Sequence, residues 1–283
     1  MHALMSLKSV LVSSLVAVLL AGCGGDSAPR PSDWYATANI HAFIKAVQDE
    51  SGSVTTTVQL RDGPNIATAR YIYLGGSDTL YATLDIAPRQ YMNFSGDLFG
   101  NSLATSQNLK VMSSRNLFTD HLLFTSVAAG QPEYFAVDTP AAGSPTVRAY
   151  VDLERSGQVL AGESSIELPP AFQITTPLAA ASVSRASPPV LNWTPVDATS
   201  NMQLDVAYLC EDDSSNTMSF DLGVDTGSVV LDATHFPTPA NPSSTCQVAF
   251  KLQRVRTGSI SANFALGNFK GIQQRAVRFT TIQ

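Results

Sequence analysis

The sequence predicts an all-β protein: two tandem β-sandwich domains behind a signal peptide and a flexible tether. Three observations predict it. Apolar residues recur with period two along most of the chain. Turn-forming clusters punctuate those runs at intervals of about ten residues. Long helical periods are scarce, while Asn, Ser, Thr and Gly are abundant.

The chain opens on one base, Lys8, followed by an apolar core from Val10 to Leu20 and then small residues. That order of charge, apolar core and small residues is an export signal. A transmembrane helix is the alternative, but the apolar run is short of the roughly 18–20 residues needed to cross a bilayer. A signal without lipid attachment is the second alternative. The ending Leu20-Ala21-Gly22-Cys23 resembles the lipobox of bacterial lipoproteins. The resemblance implies a signal peptide over 1–22, cleavage after Gly22 and acylation of Cys23 with palmitate-type chains. Gly24, rather than Asp, follows Cys23. In Gram-negative lipoproteins that implies export to the outer membrane, with orientation toward periplasm or cell surface left open. One acyl chain holds weakly, so the two or three chains such lipoproteins carry imply a stable anchor. Residues 23–35 continue as small, polar, Pro-containing chain, which reads as the tether.

Cleavage leaves enough of the 283 residues for two domains of ordinary size. The formal net charge of −6 excludes nucleic acid as a main partner, because such binding needs basic patches that neutralise phosphates. Besides Cys23 the chain has Cys210 and Cys246. A remaining even pair in an oxidising compartment reads as a disulfide, with buried free thiols as the alternative.

The first domain is placed at 36–168. Ile40, Ala42, Ile44 and Ala46 share one face; Val54, Thr56, Val58 and Leu60 share the next, after a turn at Asp49–Gly52. Tyr71 and Tyr73 alternate with Ile72 and Leu74. Gly75-Gly76 turns the chain, and Leu80, Ala82, Leu84 and Ile86 follow. Gly96–Asn116 has no sustained period and reads as an insertion or irregular edge. Pairing resumes over His121–Val127 and Glu133–Val137, and Val147, Ala149, Val151 and Leu153 alternate cleanly. Pro169-Pro170 interrupts the pattern, because proline cannot donate to a strand ladder. The second domain is therefore placed at 169–283.

That domain shows Phe172-Gln173-Ile174-Thr175-Thr176-Pro177, then Val190-Leu191-Asn192-Trp193-Thr194-Pro195. Leu204, Val206 and Tyr208 lead to Cys210; Cys246, Val248, Phe250 and Leu252 alternate; Val277 and Phe279 lie in a last strand. This part resembles a fibronectin type III or immunoglobulin-like sandwich, in which Trp193 is a core residue and the cysteines lie on strands placed like C and F. The whole layout resembles uncharacterised proteobacterial lipoproteins, on Phe172, Ile174, Pro177, Ser184, Arg185, Ala186, Ser187 and Trp193. That resemblance names no activity.

A search for chemistry finds no nucleophile elbow, zinc-binding helix motif or P-loop. His41, His121 and His235 stand apart, without zinc-like spacing. No catalytic residue, cofactor or metal site is predicted. The best candidate for cation binding is Asp212, Asp213 and Asn216, which offer several oxygens on one turn; they lack the spaced pattern and glycine of an EF-hand, and a solvated acidic turn is the simpler reading. From Asp197 to Asp232 there are eight acids and no Lys or Arg, whereas Lys251, Arg254, Arg256, Lys270, Arg275 and Arg278 follow with no acids. Either neighbouring strands pair these charges, or a basic face meets lipid headgroups or an acidic partner.

The reading as a whole is a non-catalytic envelope lipoprotein, membrane-anchored, acting as a structural or protein-binding module for an envelope protein or polymer. Exposed sheet edges would accept a partner strand. The alternatives are a carbohydrate-binding lipoprotein using first-domain aromatics such as Tyr81, Tyr91 and Tyr134, or an accessory subunit of an envelope enzyme.

Overall fold

The structure is a computed structural model that describes residues 29–65, 68–85, 90–95, 133–140, 146–186, 189–232 and 234–283. Cys23, Ile86, Gly96–Asn116, His121–Val127 and Ser187 lie outside the described residues. The fold is all-β, and its sheets stack as sandwiches.

The strands of the first part are β1 (Arg30–Pro31), β2 (His41–Gln48), β3 (Val54–Arg61), β4 (Tyr71–Tyr73), β5 (Asp78–Leu84), β6 (Gln90–Tyr91), β7 (Asn93–Ser95), β8 (Glu133–Asp138), β9 (Arg148–Arg155) and β10 (Gln158–Glu167). Those of the second are β11 (Gln173–Thr176), β12 (Ser182–Ser184), β13 (Val190–Thr194), β14 (Asn201–Cys210), β15 (Ser215–Val224), β16 (Ser228–Val230), β17 (Cys246–Thr257) and β18 (Leu266–Ile282).

Alternation explains which side of each strand is dry. Ile40, Ala42, Ile44 and Ala46 are all fully buried, and so are Ala149, Val151 and Leu153. They meet across the gap between two sheets, one carrying β4-β3-β2 and the other ordered β10-β9-β5-β6. In the second part β11-β13-β16 faces β18-β17-β14-β15, around Phe172, Leu191, Trp193, Leu204 and Phe250. Phe250 meets Phe279 edge-on with ring centroids 4.8 Å apart.

One strand joins the two. β18 pairs antiparallel with β17 from Lys270 to Thr281, and its first half pairs parallel with β2, from Leu266 opposite His41 to Gln273 opposite Gln48. Sheet β1-β4-β3-β2-β18-β17-β14-β15 thus runs without a break from one sandwich into the other. Phe264 and Phe269 fill the first core, although they lie far beyond Pro169-Pro170. Gly267 makes this possible: a Cβ there would sit 1.9 Å from the Ala42 carbonyl oxygen.

The structure also shortens the tether. Arg30 and Pro31 pair parallel with Ile72 and Tyr73, and Ser32 is fully buried. Ser32 donates to Asp78 at 2.6 Å, and Arg155 holds both Asp78 (2.6 Å) and the Ser32 carbonyl (3.1 Å). Gly75 is a glycine because Pro31 and Asp33 lie against it; a Cβ would come within 2.4 Å of Pro31. Burial alone would raise the Asp78 pKa, but Arg155 and Ser32 hold it below its ordinary value.

Candidate functional site

The clusters singled out in the sequence are mostly taken up by the fold. Cys210 and Cys246 face each other on adjacent strands β14 and β17 and form a disulfide, with Cα atoms 3.9 Å apart. The bond lies within one sheet, unlike the bridge between sheets in immunoglobulin domains. Asp212 accepts the Asn241 N–H at 2.7 Å and the Ser214 N–H at 3.1 Å, so each carboxylate oxygen already closes a loop. Asn216 accepts the next N–H, that of Thr217, at 2.8 Å, and Asp213 turns the chain with φ +62°. Among the described residues no group of three or more His, Cys, Asp and Glu is placed to hold a metal ion. His235 bonds Asp232 at 2.7 Å and stacks beside Phe220. The Asp232 carboxyl is held at about 2 by Thr234 and His235.

Arg185 turns inward as a clamp. It donates to the carbonyls of Pro242 and Ser244, both at 2.7 Å, and to Thr281, tying the loop before β17 to the end of β18. The Ser184–Ser187 segment therefore carries a structural residue.

The acidic and basic segments of the second part pair with each other. Lys251 meets Asp205 at 2.7 Å, Arg254 meets Asp225 at 2.6 Å and Arg256 meets Asp197 at 2.8 Å. The middle pair is fully buried. Trp193 donates its indole N–H to Asp225 at 2.6 Å, while Arg254 also donates to the carbonyls of Pro170 (2.8 Å) and Pro195 and lies over the Phe172 ring, 4.7 Å from its centroid. A buried charge is tolerated only when paired and hydrogen-bonded. Here one guanidinium draws the interdomain chain at Pro170 onto the second core.

Sequence reasoning missed the burial of Arg254 and Asp225, although one signal was there. Cys246, Val248, Phe250 and Leu252 point inward, so period two places Arg254 inward as well.

Beside this lock lies an open cleft of about 510 Å³, between the outer face of β9-β10 and the end of β17. Arg148, Tyr150, Ser165, Glu167, Arg256 and Ser259 line it. Glu167 bridges its two guanidiniums, 3.1 Å from Arg148 and 3.4 Å from Arg256. Burial alone would raise the pKa of neighbouring Asp197, but hydrogen bonds from Ser200, Thr199 and Arg256 hold it down to about 2.

The first-part aromatics divide. Tyr71 lies under the Arg61 guanidinium, 3.3 Å from ring centroid to Cζ, and buried Tyr134 accepts the Leu74 N–H at 2.6 Å. Tyr81 and Tyr91 instead stand together on the outer face of the β5-β6 pair, with centroids 4.6 Å apart.

No family model and no curated protein matches the chain. Among solved structures the chain is similar to the FN1-FN3 domains of chicken CNTN1, with 11% identity and a TM-score of 0.26, over 91% of this chain and 69% of that one.

Proposed function

We propose that the chain is a non-catalytic lipoprotein of the outer membrane, anchored through acylated Cys23, and that it works as a structural or protein-binding module holding another envelope protein or a polymer. The observation that carries this reading is the shared strand. A tethered binder transmits force from its anchor to its ligand. Here the chain leaving the tether is clasped by Asp78 and Arg155, and β18 continues the ladder from the first sandwich into the second. Two bodies on a swivel would not carry load in that way.

The outer edge of β15 supplies a place for a protein partner. The strand has ten residues, contains no Lys or Pro, and among the described residues pairs only with β14. Cys210 donates to the Ser214 carbonyl. The antiparallel alternation then turns the N–H groups of Ser215, Thr217, Ser219 and Asp221 outward. Asn216 already occupies that of Thr217, which narrows the available edge toward Ser219 and Asp221. Such an edge accepts a strand from a partner.

Labelling with radioactive palmitate is expected to mark the wild type and not Cys23→Ala; equal labelling would end the lipid-anchor reading. A photo-crosslinker at Ser219 is expected to join a discrete envelope protein or polymer in cells. Recovery of lipid alone would overturn the binding role.

A further inference from the structure

The outer face of the β10-β9-β5-β6 sheet has a composition that the core does not explain. Leu80, Ala82 and Leu84 on β5, and Ala149, Val151 and Leu153 on β9, are all buried in the first core. Alternation therefore sends Tyr81, Thr83, Arg148, Tyr150 and Asp152 to the opposite face. Register fixes their neighbours. Tyr91 stands opposite Tyr81, Tyr81 opposite Asp152, Thr83 opposite Tyr150, Tyr150 opposite Ser165, and Arg148 opposite Glu167.

A diagonal stripe follows from that register. Tyr91 is 68% exposed, and its ring is tilted 41° against that of Tyr81. Tyr150 is the diagonal neighbour of Tyr81, at the roughly 7–8 Å typical of such pairs. Tyr150 also lines the cleft of about 510 Å³. The stripe thus begins at an exposed aromatic on the sheet edge and ends in a concavity of ligand-site size.

We propose that this face and cleft bind a neutral oligosaccharide, with Tyr91, Tyr81 and Tyr150 stacking on successive sugar rings and Arg148, Glu167 and Arg256 bonding hydroxyls at the cleft end. The proposal rests on the binding-module reading above and names its polymer. The C–H face of a pyranose packs on an aromatic ring, and its hydroxyls suit planar groups that offer donors and acceptors side by side.

Charge argues for neutrality. Arg148 is paired with Glu167, and Arg256 with Glu167 and Asp197, so among the described residues lining the cleft each guanidinium already has a carboxylate partner, which disfavours an acidic polymer. Composition argues against a peptide. A protein contact usually centres on an apolar, charge-depleted core, whereas Tyr81, Thr83, Arg148, Tyr150, Asp152 and Glu154, which alternation turns outward on β5 and β9, are polar or aromatic, with Val159 of β10 the exposed aliphatic beside them.

Calorimetric titration of the mature lipoprotein in detergent tests this, using cellohexaose and the N-acetylglucosamine hexamer as neutral probes and hexagalacturonate as the acidic one. Saturable binding of at least one neutral probe, with none of the acidic one, is expected. Tyr91→Ala and Tyr150→Ala are each expected to weaken it by about tenfold, with thermal unfolding unchanged for Tyr91→Ala. Three results overturn the proposal: no neutral probe binds, only the acidic probe binds, or both variants bind as tightly as the wild type. The Ser219 crosslink reads the binding role separately. A partner captured there with no sugar bound removes the oligosaccharide site and leaves the module reading standing.

Discussion

The two sandwiches are closed in different ways. The second builds most of its core from strands that neighbour each other in sequence, such as β14 with β15, and staples β14 to β17 across a separation of 36 residues. The first has no disulfide among its described residues and is completed by a strand from the far end of the chain: Gln273 meets Gln48 across 225 residues. Closing so long a loop costs entropy, which local hairpins largely avoid. The difference teaches that the stapled sandwich serves as a platform, positioning β18 for the first sandwich.

The largest expected effect comes from the charge that ties the interdomain chain to that platform. Arg254→Met leaves Asp225 buried without its cation. It is expected to cost about 3–5 kcal/mol in urea unfolding. A cost below about 1 kcal/mol would mean that the pair is dispensable. The next effect lies at the shared ladder. Gly267→Ala forces a Cβ into the Ala42 carbonyl and should cost about 1–3 kcal/mol. Its signature is loss of amide protection in β2 beyond that in β14. Uniform loss would contradict a local wedge.

The smallest effect is a pH dependence. The Asp197 pKa lies at about 2, below its ordinary 3.8. A lowered folded-state pKa contributes stability that is complete above the unfolded value and disappears as pH falls through the folded one. Wild type should therefore lose stability between about pH 4 and 2, by on the order of 1 kcal/mol more than Asp197→Asn, after allowance for solvent screening. Parallel curves for the two proteins would remove this carboxylate from the acid response.

What the sequence made legible is what depends on neighbours along the chain. The period-two runs at Ile40–Ala46 and Val147–Leu153, the inward Trp193 and the Cys210–Cys246 pair all have local or compositional signatures. The parallel pairing of β18 with β2 has none, because alternation says which face of a strand is buried and not which distant strand lies beside it. Gly267 carried a faint clue, since glycine inside a strand often marks close approach of another backbone. The cleft was illegible for the same reason: Glu167 and Arg256 meet across 89 residues. Pro31 and Ser32 read as tether by composition, and only the hollow left by Gly75 and the reach of Arg155 draw them into the fold.

The stacked sheets of the second part were legible in its alternation, but a fold class carries no activity with it. The site proposed for a sugar depends on cross-strand register, Tyr81 beside Tyr91 and diagonal to Tyr150, which becomes visible once the strands are paired.

The central claim is that β18 makes the two sandwiches a single mechanical body, and hydrogen exchange on the protein tests it most directly. The exchange of β2 and β14 amides is compared with the Cys210–Cys246 bond intact and reduced. Reduction should destabilise the second sandwich by about 2–4 kcal/mol. The shared strand predicts that amides of Ala42–Gln48 lose protection together with those of Leu204–Tyr208. Protection that falls in β14 and stays unchanged in β2 would show two independent bodies and contradict the account.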